Sequence, residues 1–479
     1  MFLGIDLGTS GVKVVLVDES QNILASETEA LRVARRASGW SEQNPEDWIT
    51  ATQKALAALD AAHDLSGVKG IGLSGQMHGA TLLGQDHQPL RPCILWNDTR
   101  SHAEAAALDA DVNFRFTTGN IVFPGFTAPK LAWVKANEPA VFAETCMVLL
   151  PKDFLRLWLT GEAVSEMSDA AGTAWLDTAK RDWSDTLLAK TDLSRDHMPC
   201  LVEGSEVSGT LRPEIADAFG MSSAVVVAGG GGDNAASAIG AGVIKAGQAF
   251  VSLGTSGVLF AANDGYQPDP ASALHTFCHA LPDTWHQMGV ILAATDALNW
   301  YARITEEDAG KMTGALGALQ APGRAMFLPY LGGERTPHND AKVRGAFIGL
   351  EHATDRAATT RAVLEGVTFA FMDSAKAMSA TGTQLERLIA VGGGARSDYW
   401  LSAIATALNV PVDLPQDGDF GGSFGAARLG MMAAGAQASD VATPPNIART
   451  FEPVAGLQGI FAQAHERYGA AYRALRDLS

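Results

Sequence analysis

Hydrophobic and polar residues alternate at the start of the chain and again near its middle, and the same short phrase interrupts both runs. Leu3, Ile5 and Leu7 form the apolar half of the first run. The phrase Leu-Gly-Thr-Ser-Gly-Val occupies residues 7–12 and returns at residues 253–258. Alternation with a period of two predicts a strand, and a glycine-containing turn between two such runs predicts a β-hairpin. The sequence therefore predicts two hairpins, one near the start of each half of the chain.

The two predicted turns carry groups that suit a bound phosphate. Glycine permits positive φ values and a close approach of the backbone to a ligand, while Thr9 and Ser10 add hydroxyl groups. A turn of this kind can direct several N–H groups towards an anion. An ordinary tight turn explains one copy equally well, whereas two identical copies favour a duplicated domain that holds phosphate groups.

Asp6 is a single carboxylate within the apolar strand that precedes the first turn. A buried charge is costly unless a cation or hydrogen-bond donors meet it. A phosphate-bound Mg²⁺ would meet this requirement, because magnesium is usually held by one or two carboxylates together with phosphate oxygens. Asp6 is therefore the candidate metal-ligating residue.

A buried strand with a polar end is predicted at residues 68–73, and Ser-Gly-Gln-Met-His-Gly follows at residues 74–79. Functional groups gather at strand ends in open α/β sheets, so Gln76 and His78 are candidates for substrate contact. A structural role for His78 is the alternative. Residues 70–75 also match the dinucleotide pattern G-x-G-x-x-G, but its glycines fall inside the predicted strand and no helix follows promptly. A dinucleotide site is therefore not expected.

Capping residues and apolar periodicity predict helices in both halves of the chain. Asn44 can cap a helix that begins at Pro45 and continues to about Ala62. A second helix is expected from about Thr354, with its apolar residues on one face. The C-terminal segment, about 454–478, is expected to form a structural helix.

The most strand-like run of the chain, residues 224–228, leads into four glycines and then Asp233. Its continuous branched apolar residues predict a strand that is covered on both faces. The plain interpretation of Asp233 is an N-cap for the following helix. A cap does not require four preceding glycines, whereas a reacting phosphoryl group requires uncluttered space, so Asp233 is the candidate functional carboxylate. A domain boundary is expected between Ala241 and Lys245.

A similar arrangement of strand, glycines and helix recurs in the second half of the chain, without a carboxylate. The apolar run 388–391 leads into Gly392, Gly393 and Gly394, and a helix is expected from about Ser397. Bare peptide planes at such a turn suit an adenine ring or a ribose. The sequence therefore predicts a nucleoside-binding turn here.

Composition and charge narrow the class of protein. The 479 residues are 47% hydrophobic and 18% charged, which is typical of a globular protein with a large core. The net charge of −18 argues against a nucleic-acid or acidic-membrane partner, although local donors and a metal can still hold an anionic substrate. The four cysteines are widely spaced, which disfavours a disulfide framework and a zinc site. With no signal peptide or long apolar run apparent, a cytoplasmic location is expected.

The chain resembles the FGGY family of carbohydrate kinases over essentially its full length. The motifs that carry the resemblance follow in the family's order and spacing, at residues 5–9, 40–43, 75–79, 127–133, 229–234, 333–337 and 392–396. The resemblance implies an α/β protein of two ribonuclease-H-like domains, of the actin/Hsp70 ATPase type, with an active-site cleft between them. The expected domains are 1–244, which would bind the sugar and carry the catalytic Asp, and 245–479, which would bind the nucleotide.

The resemblance also implies roles for single residues. Asp233 would take the proton from a sugar hydroxyl, and Asp6 would help to position Mg²⁺ and phosphate. The expected sugar contacts are Met77, His78 and Asn234. The expected nucleotide contacts are Thr9 in the first hairpin, Gly254 and Thr255 in the second, and Gly393 and Gly394 at the adenosine end.

The reaction implied by the resemblance is phosphoryl transfer from ATP to the 5-hydroxyl of a ketopentose, D-xylulose in the first instance. A kinase of the same family that acts on ribulose, glycerol or a related polyol is the alternative. A non-catalytic sugar- or ATP-binding protein is disfavoured, because both Asp6 and Asp233 are present. The expected partners are ATP, Mg²⁺ and a ketopentose, without nucleic acid or membrane, and a homodimer is left open.

Overall fold

The computed structural model describes residues 1–416 and 421–478. These residues form two compact α/β units. The first unit consists of Met1–Ile244, Phe277–Trp285 and 421–444, and the second of Lys245–Thr276, 286–416 and 445–478. The first boundary falls after Ile244, within the predicted boundary region. The two later segments of the first unit depart from the expected division into 1–244 and 245–479, and residues 417–420 and 479 lie outside the described residues.

The helices and strands up to residue 244 alternate irregularly, and many strands are short. In chain order they are β1 (Phe2–Leu7), β2 (Gly11–Val17), β3 (Ile23–Ala30), β4 (Glu42–Gln43), α1 (Pro45–Ala62), β5 (Gly70–Gly75), β6 (Thr81–Leu83), β7 (Cys93–Ile94), α2 (His102–Asp109), α3 (Val112–Thr118), α4 (Thr127–Asn137), α5 (Pro139–Glu144), β8 (Met147–Leu149), α6 (Pro151–Thr160), β9 (Val164–Glu166), α7 (Met167–Ala170), β10 (Leu176–Asp177), β11 (Asp182–Trp183), α8 (Asp185–Lys190), β12 (Cys200–Val202), β13 (Val207–Thr210), α9 (Pro213–Ala218), β14 (Val226–Ala228), β15 (Gly231–Gly232) and α10 (Asp233–Ala241).

The elements after residue 244 include the longest helix in the described part of the chain. In chain order they are β16 (Gly247–Leu253), β17 (Gly257–Asn263), β18 (His275–Cys278), β19 (Trp285–Ile291), α11 (Thr295–Ile304), α12 (Ala309–Gly314), β20 (Met326–Leu328), β21 (Ala346–Ile348), α13 (Arg356–Ala380), β22 (Leu385–Val391), α14 (Asp398–Leu408), β23 (Val412–Pro415), α15 (Gly422–Ala433), α16 (Ala438–Val441), β24 (Ile447–Phe451) and α17 (Gln458–Leu475).

The sheet of the first unit is built around the first predicted hairpin, which the structure confirms. Its strand order is β13-β14-β5-β1-β2-β3, and β15 pairs with β5. Strands β1 and β2 are antiparallel, with Leu7 opposite Val12, and β5 lies parallel to β1 on its other side. Leu3, Ile5 and Val14 are fully buried. These alternating apolar residues belong to one buried core of the first unit.

Glycines allow α15 to pack directly on this sheet, although it is distant in sequence. A Cβ at Gly72 would lie 1.7 Å from the Ala426 carbonyl oxygen, and one at Gly4 would lie 1.8 Å from that of Ser423. On the helix side, a Cβ at Gly425 would lie 1.7 Å from the carbonyl oxygen of Ala236 in α10. Only glycine permits such backbone contact. Gly72, part of the rejected dinucleotide pattern, therefore serves helix packing.

The second unit repeats the central arrangement of the first. Its sheet has the order β18-β19-β17-β16-β22-β23-β24. Strands β16 and β17 form the second predicted hairpin, with Leu253 opposite Gly257, and β22 lies parallel to β16. Each copy of the repeated phrase therefore connects two antiparallel strands, the first of which has a parallel neighbour on its other side.

The predicted helices are confirmed with small differences at their ends. Helix α1 has the predicted bounds, although the Asn44 side chain makes no capping hydrogen bond. Helix α13 begins at Arg356, two residues after the predicted start. Helix α17 is shorter than the predicted C-terminal helix. Within residues 1–416 and 421–478, no helix is long and apolar enough to cross a membrane.

Candidate active site

Asp6 and Ser74 lie side by side where two parallel strands end. They are opposite each other in the β1–β5 pair, and the Ser74 hydroxyl donates a 2.9 Å hydrogen bond to Asp6 Oδ1. The start of α15 comes close to both, since a Cβ at Gly422 would lie 2.6 Å from Ser74 Oγ and 2.9 Å from Asp6 Oδ1. The positive end of the α15 dipole stabilises a negative charge here. Asp6 remains half-buried.

Asp233 is placed beside the same strand end by β15. Gly231 of β15 lies opposite Ser74 on the side of β5 away from β1, and α10 begins at Asp233. The N-cap of α10 is Gly232, so the structure does not support the capping interpretation of Asp233. The two carboxylates that the sequence singles out thus flank the end of one strand.

The surroundings of Asp233 make its carboxyl group harder to ionise than that of an exposed aspartate. Burial, followed by the charge of Asp6, raises the pKa of Asp233 to about 6. Two donors on Asn234 oppose this shift, because its backbone N–H and Nδ2 lie 2.7 and 2.9 Å from Asp233 Oδ1. The side chain keeps part of its surface accessible. Asp233 is therefore an accessible carboxylate whose pKa lies near neutral pH, as a general base requires.

The loop after β5 holds Met77 and His78 against two glycines. A Cβ at Gly232 would lie 3.0 Å from Met77 Sδ, and one at Gly172 would lie 2.4 Å from His78 Cε1. The His78 Nδ1 is 2.7 Å from the Gly172 carbonyl oxygen, to which it donates in the neutral ring. The ring stacks on Phe126 with centroids 4.7 Å apart. Met77 is thereby packed beside the glycine turn that precedes Asp233.

The first repeated turn is anchored by amide side chains. The Thr9 hydroxyl donates to Gln76 Oε1 at 3.0 Å and accepts from Trp96 Nε1 at 2.9 Å. Gln43 Nε2 donates to the Thr9 carbonyl at 2.7 Å, and Gln76 Nε2 donates to Gln43 Oε1 at 3.0 Å. The hydroxyl proton of Thr9 is therefore committed within the protein, and Trp96 is about half exposed beside it.

The second repeated turn is anchored by main-chain groups at the start of α11. The carbonyl of Gly254 accepts from the Thr295 N–H at 2.9 Å and from Thr295 Oγ1 at 2.7 Å. The carbonyl of Thr255 accepts from the N–H groups of Ala294 and Asp296 at 2.9 and 3.2 Å. These bonds fix the carbonyl groups of the turn against α11.

A cavity of about 720 Å³ lies next to this turn in the second unit. It is lined by Thr295, Asn299, Gly393, Gly394, Arg396 and Tyr399, among others. A Cβ at Gly394 would lie 2.8 Å from Leu253 Cβ, whereas the space around Gly393 is open. The volume is within the range of about 300–1,000 Å³ of small-molecule sites. Thr295 joins the cavity to the turn, since it lines one and hydrogen-bonds the other.

Comparisons with known proteins identify the family. The FGGY family of carbohydrate kinases matches in two parts, its N-terminal domain at residues 1–240 and its C-terminal domain at residues 249–434. The chain belongs to the FGGY family of carbohydrate kinases. The kinase is 48% identical to the xylulose kinase of Escherichia coli K12 over 100% of both chains, and 51% identical to that of Klebsiella pneumoniae over 90% of both.

Solved structures agree on the fold of the kinase. A crystal structure of a xyloylose kinase from Brucella ovis superposes with a TM-score of 0.98 at 60% identity, over 100% of both chains. The xylulose kinase of Rhodospirillum rubrum superposes with a TM-score of 0.93 at 27% identity, over 100% of this chain and 99% of that one. The predicted two-domain α/β fold of the actin/Hsp70 ATPase type is therefore confirmed. The family makes ATP a substrate of the kinase and a sugar its acceptor.

One residue that supports the His78 loop of the kinase has no predicted role. Lys130 is fully buried, and its Nζ donates to the carbonyls of His78 and Gly125, both at 2.7 Å. Thr127 Oγ1 donates to the same His78 carbonyl at 3.1 Å. His78 has a φ of 68°, which is uncommon for a residue with a side chain. In the sequence, Lys130 is a lysine in an apolar stretch within the motif 127–133, and neither feature indicates its partner.

Proposed function

We propose that this kinase transfers the γ-phosphoryl group of ATP to the 5-hydroxyl of D-xylulose, which gives D-xylulose 5-phosphate and ADP. The observation that carries the proposal is the pair Asp6 and Asp233 at one strand end, with the pKa of Asp233 raised to about 6. The substrate is proposed from the names of relatives that are about half identical to this chain.

Asp233 is the general base in this proposal. Its carboxylate takes the proton of the sugar hydroxyl, the hydroxyl oxygen bonds to the γ-phosphorus, and the bond from that phosphorus to the β–γ bridging oxygen breaks. Because phosphoryl transfer passes through a loose transition state, most of the catalysis comes from positioning and from neutralising charge. A base with a pKa of about 6 is largely ionised at pH 7 and still accepts a proton effectively.

Asp6 is the proposed contact for Mg²⁺. Its half-buried carboxylate beside Asp233 fits this role, because a cation there would offset the repulsion that helps to raise the pKa of Asp233. No group of three or more His, Cys, Asp or Glu residues in the described residues could hold a metal alone. A magnesium ion that is held mainly by phosphates and waters needs no such group. When bound, the ion supplies charge neutralisation at the phosphate oxygens.

The sugar site in this proposal consists of Met77, His78 and Asn234. His78 offers an imidazole whose orientation is set by the Gly172 carbonyl and the Phe126 ring. Met77 supplies an apolar surface beside the glycine turn. The Asn234 amide carries its own polar groups next to the Asp233 carboxylate.

The nucleotide site in this proposal belongs to the second unit, with one further contact in the first. The N–H groups near Gly254 and Thr255 meet the terminal phosphates, since the carbonyls of that turn are already bound to α11. The cavity beside Gly393 and Gly394 takes the adenosine end. Thr9 contacts the nucleotide through its backbone N–H, because its hydroxyl proton is committed to Gln76.

A coupled assay of ADP release tests the proposal. D-Xylulose should give the highest kcat/KM among D-xylulose, L- and D-ribulose, glycerol and gluconate. Asp233→Ala should abolish sugar-dependent ADP release and leave ATP binding measurable by calorimetry. Normal turnover in that variant, or a clear preference for another acceptor, would contradict the proposal.

A cytoplasmic location and a homodimer are also proposed. Cell fractionation tests the location, and light scattering tests the oligomeric state.

A further inference from the structure

A fully buried group of charged side chains lies beneath the glycine turn that precedes Asp233, and the proposed mechanism does not use it. We call it the buried charge cluster, and its members are Lys152, Asp153, Arg156, Glu166 and Asp169, all with 0% exposure. Lys152 Nζ is 2.7 Å from Asp153, 3.1 Å from Asp169 and 3.2 Å from Glu166. Arg156 lies 3.5 Å from Asp153.

The cluster comes close to charge balance without solvent. It holds two cations against three carboxylates, and burial raises the pKa of Asp169 well above its usual range. This favours a neutral Asp169, so that two positive charges face two negative ones. Burial alone lowers the pKa of Lys152, but the acidic side chains of the cluster, Asp153 first, outweigh it and raise the pKa. Because buried ion pairs of this kind often contribute little net stability, the contacts of the cluster with its surroundings are the more informative feature.

The cluster reaches both ends of the glycine turn 229–232. The Arg156 guanidinium donates through Nη2 to the Gly229 carbonyl. At the other end, the Gly232 N–H donates to Ser168 Oγ at 3.0 Å. The Ser168 hydroxyl in turn donates to Glu166 Oε1 at 3.0 Å. Because its single proton is committed to Glu166, Ser168 presents a lone pair to Gly232, the residue directly before Asp233.

We propose that Ser168, oriented by Glu166 of the buried charge cluster, is a positioning residue that holds the backbone before Asp233 and thereby sets the place of its carboxylate. This deepens the proposed function and rests on it. Pairing of β15 with β5 restrains Gly231 and Gly232 from one side, and Ser168 adds a side-chain acceptor for the Gly232 N–H. Ser168 touches neither Asp233 nor, in this proposal, the substrate.

Ser165 provides a matched control for this role. It is also buried, and its hydroxyl donates to Asp153 Oδ2 at 2.6 Å, so it contacts the same cluster. This hydrogen bond does not involve the glycine turn. Ser165→Ala and Ser168→Ala therefore each remove one hydroxyl from contact with the cluster, and of these two hydroxyls only that of Ser168 bonds to the glycine turn.

The test compares kcat, both KM values and thermal stability for the two variants. Ser168→Ala should lower kcat about tenfold, with the KM for ATP unchanged, because the free energy of one hydrogen bond that holds the base in place corresponds to about this change in rate. Its acid limb in the kcat–pH profile should move to lower pH by about half a unit or more, since a looser turn exposes Asp233 to water. Ser165→Ala should keep kcat within about twofold while losing a similar amount of Tm.

Equal kcat and equal pH profiles in the two folded variants would overturn the proposal. If Ser168→Ala does not fold, Ser168→Cys decides, because a thiol has nearly the same shape but is a weak acceptor. Asp233→Asn, measured in parallel, separates the two proposals. Sugar phosphorylation that survives in Asp233→Asn refutes the proposed function, whereas an inactive Asp233→Asn with a fully active Ser168→Ala refutes only the positioning role.

Discussion

Replacing the candidate base with its neutral amide should make the protein more stable and inactive. Burial and the charge of Asp6 raise the pKa of Asp233 to about 6, so its ionised form is strained in the folded protein. Asp233→Asn removes the charge and keeps the size of the side chain and an oxygen that can accept from Asn234. We expect a higher melting temperature at neutral pH and no sugar phosphorylation.

The expected gain follows from the difference between folded and unfolded pKa values. The pKa of Asp in the unfolded chain is about 3.9, so a folded pKa of about 6 is a difference of about two units, or about 3 kcal/mol. The two Asn234 donors lower the pKa of Asp233 and are therefore already included in the folded value. A gain of about 3 kcal/mol raises the Tm of a large domain by about 6 °C.

The expected difference in stability between Asp233→Asn and the wild type depends on pH. Between about pH 4 and pH 6 the folded protein binds a proton at Asp233 that the unfolded chain has lost, so stability from this group falls as pH rises through that window. The advantage of Asp233→Asn should therefore be absent below about pH 4 and complete above about pH 6. Calorimetry of the ligand-free protein from acid to neutral pH measures the difference in Tm between variant and wild type.

A control and a contrary outcome complete the design. Asp217 is an exposed carboxylate of α9 in the same unit, and Asp217→Asn should leave Tm unchanged across the pH range. If Asp233→Asn has the Tm of the wild type at neutral pH, or a gain that is equally large in acid, Asp233 is not a strained carboxylate and the argument for a tuned base fails.

Three further predictions concern groups around Asp233. The kcat/KM should fall about tenfold per pH unit below about pH 6 as Asp233 takes up a proton, and a profile that is flat to pH 5 would contradict this. Lys130→Met should raise the sugar KM about tenfold with the ATP KM unchanged, because the carbonyl of His78 loses the Lys130 donor. Lys135→Met, on the exposed side of α4, is the control. Gly422→Ala should lower kcat at least about tenfold, because the added methyl group would displace Ser74 and Asp6. Gly421→Ala, where the space is open, should leave kcat unchanged in the same assay.

Local patterns predicted the central elements well. Both hairpins are where the alternation places them, since side-chain periodicity and turn chemistry act over a few residues. The return of α15 to the first unit was not predictable. Gly72 and Gly425 allow its close contacts, but a glycine shows only that space is available and does not identify which distant segment fills it. For this reason a division into two continuous halves departs from the structure.

The candidate site likewise contains residues that the sequence indicates and residues that it does not. Asp6 and Asp233 were singled out because carboxylates are unusual in apolar or glycine-rich surroundings, and the structure places both beside Ser74. Ser168 and Lys130 act through backbone groups of Gly232 and His78, which are far from them in sequence. Such hydrogen bonds leave no periodicity or spacing by which the sequence could indicate them.

The two copies of the repeated phrase have the same residues but different anchors. In the first copy, Gln76 accepts from the Thr9 hydroxyl and is followed directly by Met77 and His78, so a hydrogen bond links the turn to the start of the proposed sugar loop. In the second copy, the start of α11 binds the carbonyls of the turn, and Thr295 also lines the cavity proposed for adenosine. The residues of the phrase alone suggest two equivalent phosphate-binding turns. The anchors distinguish the two turns: the residue that binds the first directly precedes the proposed sugar contacts, whereas a residue that binds the second also lines the proposed nucleotide cavity.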